Sequence, residues 1–179
     1  WDRGAWWRLF TGAWLHGSWV HLTLNLIGLW SVGRWVEGVV GPWRLLVILV
    51  MSATIGCLAS LVVVEAGLVV GISGGVFGLA GALLSLRLGS ANNSVLARIS
   101  PWELGFWLVL WLVVGAFAPA VLGGGAVIAQ GGHVGGLVTG LVAGWAFGLA
   151  DGRAAARTLC LSGLALAGLG LGWFGASPP

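Results

Sequence analysis

Charge is what this chain has least of. Charged residues fill 7% of its 179 positions, against about 25% in an ordinary soluble domain. Lysine is absent, and no Asp, Glu, Lys or Arg occurs between Leu104 and Ala150. The net charge is only +3 and no basic run is present, so the chain lacks the electrostatic footprint of a nucleic-acid-binding protein. Cysteine is nearly absent too. Cys57 and Cys160 both lie in apolar stretches, which excludes a disulfide framework and a cysteine metal site and leaves two buried thiols. The histidines are His16, His21 and His133, with no acidic residue near any of them. Their spacing is not the His-Glu-x-x-His of a zinc protease. No metal and no cofactor is expected. The chain opens at Trp1 with neither an initiator Met nor a short apolar segment with a cleavage site, so no signal peptide is visible. The expectation is a sequence that begins partway along a longer protein.

What the chain has instead is apolar length. It is 59% hydrophobic, with a mean hydropathy of +1.03. A helix crossing the hydrocarbon core needs about 20 residues. Apolar runs at Trp19–Val36, Leu45–Val64, Ser73–Leu88, Trp102–Ala118 and Gly132–Ala150 predict five spans, and Leu159–Phe174 a sixth. The fold class this predicts is all-α, a polytopic membrane helical bundle. The third run is short, as if its helix began below the membrane surface after a loop, Glu65–Ile72, dipping inward; such a loop needs protein or a water-filled cavity around it. Trp1–Ser18 is amphipathic and Trp-rich, and Trp35, Trp43 and Trp102 fall near span ends, where indoles favour the headgroup region. Arg34, Arg44, Arg87, Arg98, Arg153 and Arg157 flank one side, and Arg3 and Arg8 the other. The positive-inside rule puts the larger set in the cytoplasm. Ser73 and His133 then both begin spans from the outer side, at matched depth.

That match matters because polar groups are costly in lipid and usually mark function. Ser73 stands in Gly71-Ile72-Ser73-Gly74-Gly75-Val76-Phe77-Gly78, and His133 in Gly132-His133-Val134-Gly135-Gly136. Alone, Ser73 reads equally as a helix N-cap and His133 as a polar residue bonded between helices. Together they suit a nucleophile and its base. The N–H groups of Ser73 and Gly74 would face the outer cavity at a helix start, where negative charge is favoured. His21 and Asn25 share a helical face and could donate to that charge or simply tie helices together. With no acid near His133, the arrangement would be a dyad. Arg34 and Glu37 read as interfacial charges or a structural ion pair. Among the 33 glycines, Gly132, Gly136, Gly140, Gly144 and Gly148 form a ladder, and Gly74, Gly78 and Gly81 line the Ser73 helix. Small residues let membrane helices approach closely, and this contact would bring Ser73 to His133. Gly144 and Gly148 read as packing positions only.

These motifs resemble the rhomboid intramembrane serine proteases. The likeness rests on His16-Gly17-x-x-x-His21-x-x-x-Asn25, on Gly71-x-Ser73-Gly74-x-x-x-Gly78 and on His133-x-x-Gly136-x-x-x-Gly140, in that order. Trp7-Arg8 resembles the Trp-Arg pair that ends the family's large first outer loop. The resemblance covers about Trp6 to Ala150. It implies a serine endopeptidase cutting transmembrane protein substrates within the lipid bilayer. Ser73 would be the nucleophile, His133 the general base, and His21, Asn25 and the Gly74 N–H the oxyanion contributors. His16 would be structural, Phe77 would pack against His133, and the span around Trp111 would be the mobile helix that gates lateral entry. The family's first span is missing here, and Leu159–Phe174 resembles an appended last helix. This divides the chain into residues 1–18, the end of an outer loop; 19–150, the catalytic helical core; and 151–179, a cytoplasmic connector with an extra C-terminal span. The setting implied is a bacterial plasma membrane, multi-pass, with the site facing outward; arginine without lysine also hints at a GC-rich genome. Two other readings are a catalytically silent rhomboid-like module that binds membrane proteins and a small transporter. Silent relatives usually lack the serine or the histidine, whereas both are here. A transporter needs coupling charges inside its spans, which these lack.

Overall fold

A computed structural model describes residues 5, 7–63, 69–89, 94–102, 104–106, 108, 109, 111–113 and 130–149. A short helix α1 (Arg8–Thr11) and a 3-10 turn (Gly12–Trp14) lead into α2 (Trp19–Val40), α3 (Pro42–Val63) and α4 (Ser73–Gly89). A second 3-10 turn (Leu96–Arg98) precedes α5 (Leu104–Val113), and α6 spans Gln130–Leu149. Among the described residues all regular structure is helical, as the composition predicts. The expected span Leu159–Phe174, Cys160, Arg3, Trp6, Arg153 and Arg157 lie outside the described residues, as do most of the loop before α6 and the middle of the loop before Ser73.

The helix starts have local causes. Ser18 caps α2, its hydroxyl accepting the His21 N–H at 3.1 Å, which satisfies one orphan donor of the first turn. The α2 helix runs to Val40, four residues past the expected end at Val36. Glu37 interrupts the apolar run without interrupting the helix. The stop comes from Gly41, whose φ of +84° breaks the helical path, followed by Pro42 at the first position of α3, where a missing N–H costs nothing. The first turn of α4 closes with the Val76 N–H on the Ile72 carbonyl at 3.1 Å.

Helix α4 is the central element. Gly74, Gly75, the run Phe77–Leu83 and Leu86 are all buried, because α2, α3 and α6 pack around it. Leu104, Leu108 and Leu112 of α5 close another side against Phe77 and Ala80. A Cβ on Gly136 would strike the Gly74 carbonyl, one on Gly140 the Gly78 carbonyl, and one on Gly144 the Ala82 carbonyl. The constant offset means that α4 and α6 run parallel and touch backbone to backbone, a contact open only to residues without side chains. Helix α3 runs the other way: Ala59 and Ser60 meet Gly131 at one end, while Arg44 lies 5.6 Å from the Phe147 ring at the other.

The outer faces are apolar. Val134, Val138, Val142 and Trp145 form an exposed stripe along α6, and Trp19, Trp43 and Trp102 are each more than three-quarters exposed. Such a surface suits lipid rather than water. By length and composition one described helix, over Pro42–Leu61, can cross a membrane; α4 and α5 are shorter apolar helices.

Candidate active site

The parallel α4–α6 contact sets the central geometry. Ser73 is the first residue of α4 and His133 the fourth of α6. Where the two helices meet, Ser73 Oγ and His133 Nε2 stand 2.9 Å apart, a hydrogen bond in which the hydroxyl donates when the ring proton is on Nδ1. His133 is 9% exposed. Its ring stacks on Phe77, one turn beyond Ser73, with centroids 4.4 Å apart and planes 18° from parallel. His133 Nδ1 is buried and has no acceptor among the described residues. Among the described residues the imidazole is therefore held by ring stacking and helix packing, with no carboxylate behind it.

The helix start supplies donors. Because the first intrahelical bond is made by Val76, the N–H groups of Ser73, Gly74 and Gly75 have no helical acceptor. Gly71 precedes them with φ +106°, a conformation natural only to glycine. A Cβ there would stand 2.6 Å from His21 Cε1 and 3.6 Å from Asn25 Nδ2. His21 and Asn25 thus lie over the backbone that delivers Ser73. Asn25 is 7% exposed, and its Nδ2 donors have no partner among the described residues. An anion forming at Ser73 would have backbone and side-chain donors on two sides.

His16 packs its ring edge-on to His21 at 5.0 Å, beside rather than in the Ser73–His133 pair. Trp7 and Arg8 sit at the start of α1; Trp7 is half exposed, and its carbonyl accepts the Thr11 hydroxyl at 3.2 Å. Their segment is tied to the site through backbone, the Gly71 N–H donating to the Gly12 carbonyl at 3.1 Å, and Gly12 and Ala13 line the cavity beside Ser73. Gly136 and Gly140 lie at the α4 contact, whereas a Cβ on Gly132 would face Ser60 Oγ of α3 at 2.8 Å, while the Gly132 carbonyl lies against Gly74 of α4.

Sequence reasoning predicted the α3 span but missed its part at the site. Ser52 and Ser60 are fully buried, with hydroxyls that have no partner among the described residues. Ser60 and Cys57 line a cavity of about 20 Å³ with Gly71, Ser73, Gly74 and Gly132, room for about one water. Serine is common enough in apolar helices that its type alone gave no signal; its recurrence every eight residues along α3, at Ser52 and Ser60, was the available one. Among the described residues no three His, Cys, Asp or Glu side chains gather as a metal site would require.

The sequence is similar to known proteins. The chain is 43% identical over 60 residues to the rhomboid protease GluP of Bacillus subtilis (strain 168), a match covering 34% of this chain and 12% of that protein. It is 34% identical over 86 residues to RHOMBOID-like protein 5 of Arabidopsis thaliana, covering 47% and 28%. It is also 39% identical over 59 residues to inactive RHOMBOID-like protein 8 of the same plant, covering 33% and 17%. The matches thus span well under a third of each relative's own length. The Rhomboid domain itself matches residues 3–150, and the chain belongs to the rhomboid family.

Proposed function

We propose that this protein is an intramembrane serine protease that hydrolyses peptide bonds of transmembrane substrates with a Ser73–His133 dyad. Family membership gives the setting, a bundle of membrane helices acting on transmembrane proteins. The observation that carries the finer reading is the 2.9 Å approach of Ser73 Oγ to His133 Nε2. In this reading His133 takes the hydroxyl proton as Oγ attacks the scissile carbonyl. The carbonyl oxygen becomes an oxyanion that accepts from the N–H groups at the α4 start and from His21 and Asn25. The collapsing intermediate takes the proton back from His133 onto the leaving amine. Water then hydrolyses the acyl-enzyme by the same two proton transfers. Substrate enters sideways from lipid past α5, and the site opens to the outer side of the membrane.

The inactive relative favours a second reading, a silent module that binds membrane proteins. One experiment separates them. The full-length protein is incubated with a model transmembrane substrate and, in parallel, with a fluorophosphonate probe. The protease reading expects cleavage and labelling, both lost in Ser73→Ala. Binding of the substrate without cleavage or labelling, in protein of unchanged melting temperature, selects the silent reading.

A further inference from the structure

Some 20 Å from the level of His21, thirteen residues along α2 at 1.5 Å each, a second polar feature lies at the opposite end of the bundle. Arg34 stacks its guanidinium over the Trp30 ring at 4.6 Å and lies 5.5 Å from the Trp35 ring. Arg34, Trp35 and Val95 line a cavity of about 290 Å³. Arg34 is exposed, and among the described residues neither Glu37 nor any other acceptor takes its N–H groups. Two other arginines at this end, Arg44 and Arg87, are engaged differently. Arg44 reaches the Val40 carbonyl at 3.5 Å and lies over Phe147. Arg87 donates from Nε to the Ile99 carbonyl at 2.9 Å. Arg34 alone of these three is held by ring faces with its hydrogen-bonding edge unspent.

We propose that the Arg34–Trp35–Val95 cavity is a binding site for the phosphate of an anionic glycerophospholipid. A guanidinium lying over indole faces is partly pre-organised: cation–π contact restricts its plane, and the free edge matches two phosphate oxygens as a fork. The indoles place that edge at headgroup depth, where tryptophan concentrates. A lipid satisfies both halves of the site, because its phosphate meets the guanidinium while its chains lie along the exposed apolar face of Trp30. Free phosphate satisfies only the first half. The space is an open depression at the bundle surface, where a lipid can enter laterally.

The test is lipid retention by the full-length protein in detergent, read by native mass spectrometry during titration with phosphatidylglycerol or phosphatidylcholine. Phosphatidylglycerol should bind more tightly, and Arg34→Gln should weaken it about tenfold, the loss expected for charge-assisted hydrogen bonds. Arg34→Lys should recover only part of the affinity, since it keeps the charge without the fork or the stacking. Arg44→Gln should retain phosphatidylglycerol as the parent does. Melting temperatures of the variants establish that each is folded; should Arg34→Gln not fold, Trp35→Leu takes its place with the same expected loss. Equal retention in folded Arg34→Gln or Trp35→Leu and in the parent would overturn the site. So would equal binding of the two lipids. Displacement of the lipid by excess inorganic phosphate would make this a free-anion site and overturn the lipid assignment.

Discussion

The Ser73 hydroxyl is a poor nucleophile until something takes its proton, and at 2.9 Å His133 Nε2 is placed to do so. Ser73→Ala and His133→Ala should each abolish cleavage of a transmembrane substrate with little change in melting temperature. The double variant should be no worse than either, because the two act as a unit; additive losses would argue against a dyad. In the proposed dyad, the stack on Phe77 would take the orienting role that a carboxylate has elsewhere. Phe77→Leu keeps apolar bulk but removes the ring face, so kcat should fall about 10- to 100-fold through misplacement of the imidazole. Phe77→Tyr, which keeps the ring, should lose far less. Asn25 makes a separate prediction. Its unpartnered Nδ2 donors lie against the Gly71 turn, and removing one oxyanion donor costs about 10²–10³ in rate. Asn25→Ala should therefore lower kcat by that factor with KM little changed. A lowered melting temperature with kcat intact would make it a structural hydrogen-bonding group.

At the scale of elements, the α4–α6 contact decides whether the site exists. Where Gly140 faces the Gly78 carbonyl, an added methyl meets backbone, which cannot rotate away. Gly148, two turns further on, has only the end of the Leu86 side chain nearby, at 3.8 Å. Gly140→Ala should cost roughly 1–3 kcal/mol, the usual range for overpacking, and should reduce activity as the helices separate. Gly148→Ala should be neutral in both. Chemical denaturation of the two variants in the same micelle checks this, and equal stability would contradict the proposed contact. The ladder of five glycines is therefore functionally uneven. Gly136, Gly140 and Gly144 serve α4, Gly132 lies between α3 and α4, and Gly148 serves neither closely.

For the whole molecule the open question is access. Helix α5 is held by Leu104, Leu108 and Leu112 against Phe77 and Ala80, and by the Gln130 side-chain amide donating to the Leu112 carbonyl at 3.2 Å. Among the described residues the seam of α5 against Phe77 and Ala80 is apolar and its outer face is exposed, features of an element that can part from a bundle at modest cost. A disulfide engineered between α5 and α2 should block cleavage of a transmembrane substrate and restore it on reduction. It should leave fluorophosphonate labelling of Ser73 intact, since a small probe arrives through water. Cleavage that persists with the crosslink verified would remove lateral entry.

Much of this was readable along the chain. Run length and the scarcity of charge predicted the helices, and glycine spacing predicted that the helices bearing Ser73 and His133 would meet. Matched depth and motif order paired the two residues before any distance was known. These properties are one-dimensional: periodicity assigns a residue to a face of its own helix. Which faces meet is a different kind of information. Crossing helices stay in contact for only a few turns, so the ladder divided between two partners in a way its regular spacing could not reveal. The same holds for Ser52 and Ser60, ordinary in an apolar run and buried against α4 and α6 only once three helices pack. It holds too for Gly71, whose positive φ and closeness to His21 and Asn25 arise where a loop, α2 and α4 converge. Backbone ties such as Gly12 to Gly71 use atoms that every residue carries. Side-chain identity therefore gives no sign of them, and only the packed chain decides where they form.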